Sequence, residues 1–298
     1  PLWKNGSQSG QEIQMHNPHT LILPDNIKPV SYQLELEPNL DKFTFAGKET
    51  VHIEVSVPTT DVTLNCIEID IQSVKLTLST SKIITPVNTM YDTSQETVTL
   101  KFDYMIPSGP AKLDFEYTGV LNDQLRGFYR SRYTDTENQE RYIATTQFEA
   151  TDARRAFPCW DEPSLKATFD VALVVPTNLV ALSNMPIVSK TETRPGTSIV
   201  QFAKTPMMST YLLAFVVGDL AAIERRATNG TLIRVWTTAG KQEQGRFALE
   251  TSSNLLAYFN EYFGIPFPLP KLDHIAIPDF AAGAMENWGA ITYRETAL

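Results

Sequence analysis

Apolar residues recur at every second position over most of this chain, and that spacing restricts it to strands with one buried face. Tyr32, Leu34 and Leu36 alternate with Gln33, Glu35 and Glu37, and Val51, Ile53, Val55 and Val57 alternate with His52, Glu54 and Ser56. Ile67, Ile69 and Ile71 repeat the pattern, as do Leu113, Phe115 and Tyr117, then Phe169, Val171, Leu173 and Val175. Turn formers such as Pro58-Thr59-Thr60 and Pro107-Ser108-Gly109-Pro110 separate the runs. Many short strands in succession predict an antiparallel β-sandwich or saddle. No repeat of 20–50 residues accompanies them.

The pattern changes near Gly218-Asp219. Ile233, Val235 and Trp236 predict one more strand, and Gln242 to Phe263 reads as a helix with Ala248, Leu255, Phe259 and Tyr262 on one face. Gly264 ends it, and Pro266, Pro268 and Pro270 forbid continuation. The expected organisation is a lead-in over 1–22, a β domain over 23–219, and a second domain, still incomplete, over 220–298.

With 298 residues, 42% hydrophobic and 20% charged, the chain has the balance of a soluble globular protein. A net charge of −9 argues against nucleic acid, which needs clustered Lys and Arg, and suits cationic ligands such as free amino ends. The longest apolar run, Tyr211 to Val217, is too short to span a bilayer, so no membrane segment is expected. The two cysteines, Cys66 and Cys159, sit among apolar residues. They read as buried free thiols and point to a reducing, cytoplasmic setting.

The segment most suggestive of chemistry is Gly283-Ala284-Met285-Glu286-Asn287, followed by Trp288-Gly289. Small residues beside a carboxylate would let another backbone approach and meet its cationic end with negative charge. A plain turn with a surface glutamate is the alternative reading.

Phe280-Ala281-Ala282-Gly283-Ala284-Met285-Glu286-Asn287-Trp288-Gly289 resembles the exopeptidase signature of the aminopeptidase N-like (gluzincin) family of zinc peptidases. The stretch from Thr146 to Pro163, with Gln147-Phe148-Glu149-Ala150 and Phe157-Pro158-Cys159-Trp160-Asp161-Glu162, resembles the puromycin-sensitive branch of that family. So do Gly127-Phe128-Tyr129-Arg130-Ser131, Ala181 to Met185, Ala214 to Gly218 and Thr292 to Leu298. The resemblance implies that the β domain is followed by the β-rich start of a thermolysin-like α+β catalytic domain. It implies a substrate-binding set of Gln147, Glu149, Gly283, Ala284, Met285, Glu286 and Asn287. Glu286 would hold the substrate's α-ammonium with Glu149 as its partner. Gln147 and Met285 would line the pocket for the first side chain, and Gly283 and Ala284 would offer backbone groups. A desolvated ammonium needs such opposing charge. An ion pair of Glu149 with Arg154 or Arg155 is the structural alternative.

Other positions carry less. Asp161 and Glu162 are adjacent and would face apart on a strand, so they suit a loop-stabilising role. His16 and His19 flank Pro18 in a polar stretch and are poor metal ligands, while His52 and His274 read as structural or exposed. Arg126, Tyr129 and Arg130 would organise the first domain.

The resemblance also implies zinc in the complete enzyme, held by a His-Glu-x-x-His helix and a later glutamate. None of the four histidines here has that spacing. The expectation is that the zinc site lies beyond Leu298. The partners would be peptides with a free N-terminus together with the rest of the catalytic and C-terminal domains. A catalytically inactive short form that binds peptides or proteins is the alternative. Elemental analysis of this chain is expected to find no stoichiometric zinc; one zinc per chain would overturn that.

Overall fold

In the computed structural model, residues 22–298 are described. They form four sheets. The largest has eight strands in the order Ile187–Arg194, Thr197–Phe202, Thr168–Pro176, Ile27–Asn39, Thr44–Val55, Gly109–Val120, Ile69–Leu78 and Ile83–Ile84. Its pairings are antiparallel except where Ile27–Asn39 runs parallel to Thr168–Pro176. A three-stranded sheet joins Thr59–Asn65, Thr97–Ile106 and Asn88–Asp92. A four-stranded sheet runs Val180–Ser183, Phe215–Gly218, Glu140–Gln147 and Gly127–Thr134.

These sheets pack face to face through one apolar core, the mainly-β architecture that the alternation predicts. Phe45 of the large sheet lies 5.2 Å from Phe128 of the four-stranded sheet, and Phe128 lies 5.7 Å edge-on to Phe215. Tyr32 stacks on Phe169 at 5.1 Å across the parallel strand pair. Two departures from strict alternation have local causes. Val57 is exposed because its strand ends at Val55. Ile67 precedes the strand that starts at Ile69, and a bulge after Ile71 breaks the repeat there.

The fourth sheet has five strands: Leu220–Arg226, Leu232–Thr238, Lys271–Ile277, Ala290–Arg294 and Ala284–Met285. Lys271–Ile277 is parallel to both neighbours and buried along its whole length, so its polar members Lys271, Asp273 and His274 are buried with its apolar ones. A 3₁₀ turn, Gln242–Gly245, leads into the helix Arg246–Phe263, closed by left-handed Gly264. The buried helix face is Leu249, Ser252 and Leu256; of the expected Ala248, Leu255, Phe259 and Tyr262, Ala248 packs against that cluster and the other three do not. Those three are exposed beside Tyr258 and Phe263, forming an aromatic outer face. The spacing defines both stripes equally well, and only docking onto Ile233 and Val235 selects the inner one. No helix among the described residues is long and apolar enough to cross a membrane.

One inward position of strand Thr44–Val55 is charged. Glu49 is 2% exposed, and neither of its carboxylate oxygens has a hydrogen-bond partner. Burial raises its acid well above the ordinary carboxylate range. The native state therefore favours the neutral acid. Below about pH 4.5 Glu49 is protonated in folded and unfolded chains alike, and as pH rises the unfolded chain ionises while the native chain does not. Stability falls through that window. Glu49→Leu is expected to stabilise the chain by about 1–3 kcal/mol at neutral pH. Urea unfolding should show the gain shrinking as pH approaches 4.5; a gain independent of pH would refute the assignment.

Candidate functional site

The Gly283–Asn287 segment occupies the edge of the five-stranded sheet. Ala284 and Met285 pair antiparallel with Tyr293 and Thr292, and Arg294 N donates to Gly283 O at 2.9 Å. The other side of Ala284–Met285 faces no strand among the described residues. A Cβ built on Gly283 would meet nothing within 4 Å, so a further backbone has room to approach.

Alternation continues inside the motif. Met285 and Asn287 are buried and Glu286 between them is exposed. Met285 packs in an apolar cluster shared by the four- and five-stranded sheets, with Ile143, Val216, Ile275 and Phe280. Asn287 Nδ2 donates to Thr292 Oγ1 at 3.0 Å. Both anchors turn the Glu286 carboxylate outward.

Gln147 and Glu149 lie at the end of strand Glu140–Gln147 in the four-stranded sheet. Gln147 Nε2 donates to Glu149 O at 3.3 Å, while Gln147 Oε1 is buried without a partner. Glu149 is exposed and precedes a cis peptide to Ala150. The ion pair weighed for Glu149 is taken elsewhere. Arg154 bonds Asp161 and Glu96, and Arg155 bonds Asp152, Glu68 and Glu96.

Polar contacts hold the two sheets together near these residues. Asp279 uses three of its groups: its carbonyl accepts from Tyr129 Oη at 2.9 Å, its amide donates to Ser131 Oγ at 2.8 Å, and Oδ2 accepts from Arg132 N at 2.9 Å. Asn184 Nδ2 donates to Trp288 O at 2.9 Å and to Leu212 O at 2.7 Å. Tyr129 thus reaches across to the second sheet instead of organising the first part alone. Arg130 stays local, on Leu121 O and Asp123, and Arg126 contacts Gln124.

Asp161 is buried and accepts from Arg154 and from Thr210 Oγ1 at 2.6 Å, while Glu162 accepts Leu23 N at 2.7 Å. Both stabilise loops. Of the two readings of His274 the structural one holds: it is buried on strand Lys271–Ile277. Its Nε2 lies 2.6 Å from Ser252 Oγ and its Nδ1 3.0 Å from Tyr293 Oη, and burial lowers its pKa to about 4. A neutral imidazole between two hydroxyls fixes the helix to the sheet. His52 is exposed, and His16 and His19 lie outside the described residues. Cys66 and Cys159 are buried free thiols, and burial pushes Cys66 up to about 12. Among the described residues no group of three or more His, Cys, Asp or Glu side chains is arranged to hold a metal ion. The described residues therefore do not fit a zinc site. A cavity of about 820 Å³ is lined by Phe45, Ile69 and Tyr91, among others, and by none of the motif residues.

Gly289 closes the motif with φ +77°, and a Cβ there would lie 2.5 Å from Asn184 O. Gly289→Ala is expected to destabilise the chain by at least about 2 kcal/mol, from left-handed strain plus the clash. Urea unfolding measures it, and an unchanged midpoint would contradict this packing.

The model of the peptidase M1 N-terminal domain matches residues 28–212, and that of the peptidase family M1 domain matches residues 247–298. Aminopeptidase M1-B of Oryza sativa subsp. japonica is 47% identical over 276 residues, covering 93% of this chain and 31% of that protein. Puromycin-sensitive aminopeptidase of Caenorhabditis elegans is 45% identical over 277 residues, covering 93% and 29%. Aminopeptidase 2, mitochondrial, of Saccharomyces cerevisiae is 42% identical over 297 residues, covering 98% and 30%. The chain therefore spans about a third of the length of these curated relatives. With more than half of its residues matched by the N-terminal domain model, the chain belongs to the peptidase M1 family.

Proposed function

We propose that this chain is the N-terminal part of a zinc-dependent aminopeptidase and supplies the groups that recognise a peptide's free amino end. The observation that carries this reading is the edge strand Ala284–Met285. It has an outer side with no strand among the described residues, open space at Gly283 and an exposed carboxylate, Glu286, directly after it. An extended peptide added to that edge gains main-chain hydrogen bonds and brings its terminal ammonium to the carboxylate. Membership in the M1 family and the aminopeptidase names of its relatives support the same reaction class.

In this reading Glu286 and Glu149 share the ammonium. Their mutual repulsion when the site is empty is relieved by the bound cation, which favours substrates with a charged terminus. The buried, unpartnered Gln147 Oε1 and the side chain of Met285 line the pocket for the first residue, and Gly283, Ala284 and Asn287 shape the strand that receives it. The zinc that activates water in family members would be held outside these residues, so this chain's share is recognition. We place the start of the catalytic domain near residue 220, where the four-stranded sheet ends at Gly218 and the next begins at Leu220. The aromatic outer face of helix Arg246–Phe263 suits packing against the rest of that domain. The buried free thiols suit a cytoplasmic setting.

Glu286→Ala in the complete enzyme is expected to lower kcat/KM on aminoacyl substrates by at least about tenfold, the scale of a lost charged hydrogen bond. Unchanged turnover would remove Glu286 from the site.

A further inference from the structure

Lys271 is 2% exposed, a rare place for an ammonium. Its Nζ lies 2.7 Å from each of three oxygens: Ser183 O, Gly289 O and Asp273 Oδ2. The three partners come from different places. Ser183 ends a strand of the four-stranded sheet, Gly289 follows the Glu286 segment, and Asp273 shares the strand of Lys271. Asp273 is fully buried and is gripped on its other side by Arg234, with Nε 2.6 Å from Oδ1 and a terminal nitrogen 2.9 Å from Oδ2. Asp273 N also donates to Gly289 O at 3.1 Å.

Lys271 is thus a cross-link. Asn184 holds Trp288 O from the four-stranded sheet, and Lys271 holds the next carbonyl, Gly289 O, from the five-stranded sheet. Lys271 also reaches back to Ser183 O, beside Asn184. Two consecutive carbonyls just after Glu286 are therefore tied to the sheet that carries Gln147 and leads into Glu149. Burial lowers the Lys271 pKa to about 8 against the opposing pull of Asp273, so the group is an ammonium at neutral pH, with three donors for three acceptors. The charged groups facing it are Asp273 and Arg234.

We infer that Lys271 is a positioning residue for substrate recognition, holding the Glu286 carboxylate in register with the sheet that carries Gln147 and leads into Glu149 by binding Gly289 O and Ser183 O together. This rests on the reading of Glu286 as the ammonium-binding group. Lys271 touches no substrate in this role and acts through Glu286 alone.

The test is a double-mutant cycle in the complete enzyme, with KM and kcat measured separately on an aminoacyl substrate. Lys271→Met is expected to raise KM about tenfold and to leave kcat within about threefold. In a Glu286→Gln background the same change should have no further effect on KM, because the group it positions is already gone. An equal KM effect in both backgrounds, a loss confined to kcat, or no effect would overturn the positioning role. Glu286→Gln on its own separates this from the parent reading. If it lowers kcat/KM while Lys271→Met leaves KM unchanged, only the positioning role fails; if it leaves kcat/KM unchanged, both fail. Should Lys271→Met not fold by circular dichroism, Lys271→Gln, which keeps a donor for one carbonyl, is read by the same criteria.

Discussion

Everything near the proposed site depends on how a buried ammonium finds oxygens. Three donors on Lys271 meet two carbonyls and one carboxylate, and no two of those oxygens belong to the same strand. Asp273 alone cannot satisfy the group, and neither sheet alone can. A buried ion cluster of this kind adds little net stability over an apolar replacement, since desolvation consumes most of the attraction. What it adds is selectivity among arrangements. Sliding one sheet against the other by a residue would leave the ammonium with an unmatched donor in a dry interior, and that penalty far exceeds the small change in apolar contact.

The division of labour at the seam follows from that. Ile143, Val216, Ile275, Phe280 and Met285 supply the apolar burial that brings the sheets together, and such burial is indifferent to register. The directional bonds of Asp279, Asn184 and Lys271 select one alignment. Met285 takes part in the apolar seam and Asn287 in a directional bond to Thr292, and the residue between them has to face out by the period of the strand. The exposed position of Glu286 is thus a consequence of what its two neighbours bury, not of any property of its own.

This explains which parts were legible in the chain's residues. Alternation is a local property, so strands such as Thr44–Val55 and Gly109–Val120 can be read directly. The helix could be placed, but its buried face could not: Leu249-Ser252-Leu256 and Leu255-Phe259-Tyr262 both have helical spacing, and the more apolar stripe is the exposed one. For His274 the residues nearby could not choose between a structural and an exposed role: three prolines precede it closely, while the parallel pairing that buries it lies at a distance in sequence. The candidate site was legible as two short motifs through family resemblance. The residues that fix those motifs in place, Lys271, Asp273, Asn184 and Asp279, carry no local signature beyond a Lys-x-Asp spacing that puts two charges on one strand face.

Glu49 and Lys271 show why burial of a charge does not by itself mark a residue tied to a site. Both are 2% exposed and each stands at an inward strand position. Glu49 has no partner for either oxygen, so the least costly state is the neutral acid, and its carboxyl holds no other segment in place by a hydrogen bond. Lys271 has three partners, and its attraction to Asp273 opposes the pull of desolvation enough to keep the proton at neutral pH. A group that stays charged in the interior constrains every atom it bonds, and two of those atoms here belong to segments that flank the proposed site. The number of partners, and the distance in sequence they span, separates a buried charge that organises geometry from one the fold merely tolerates.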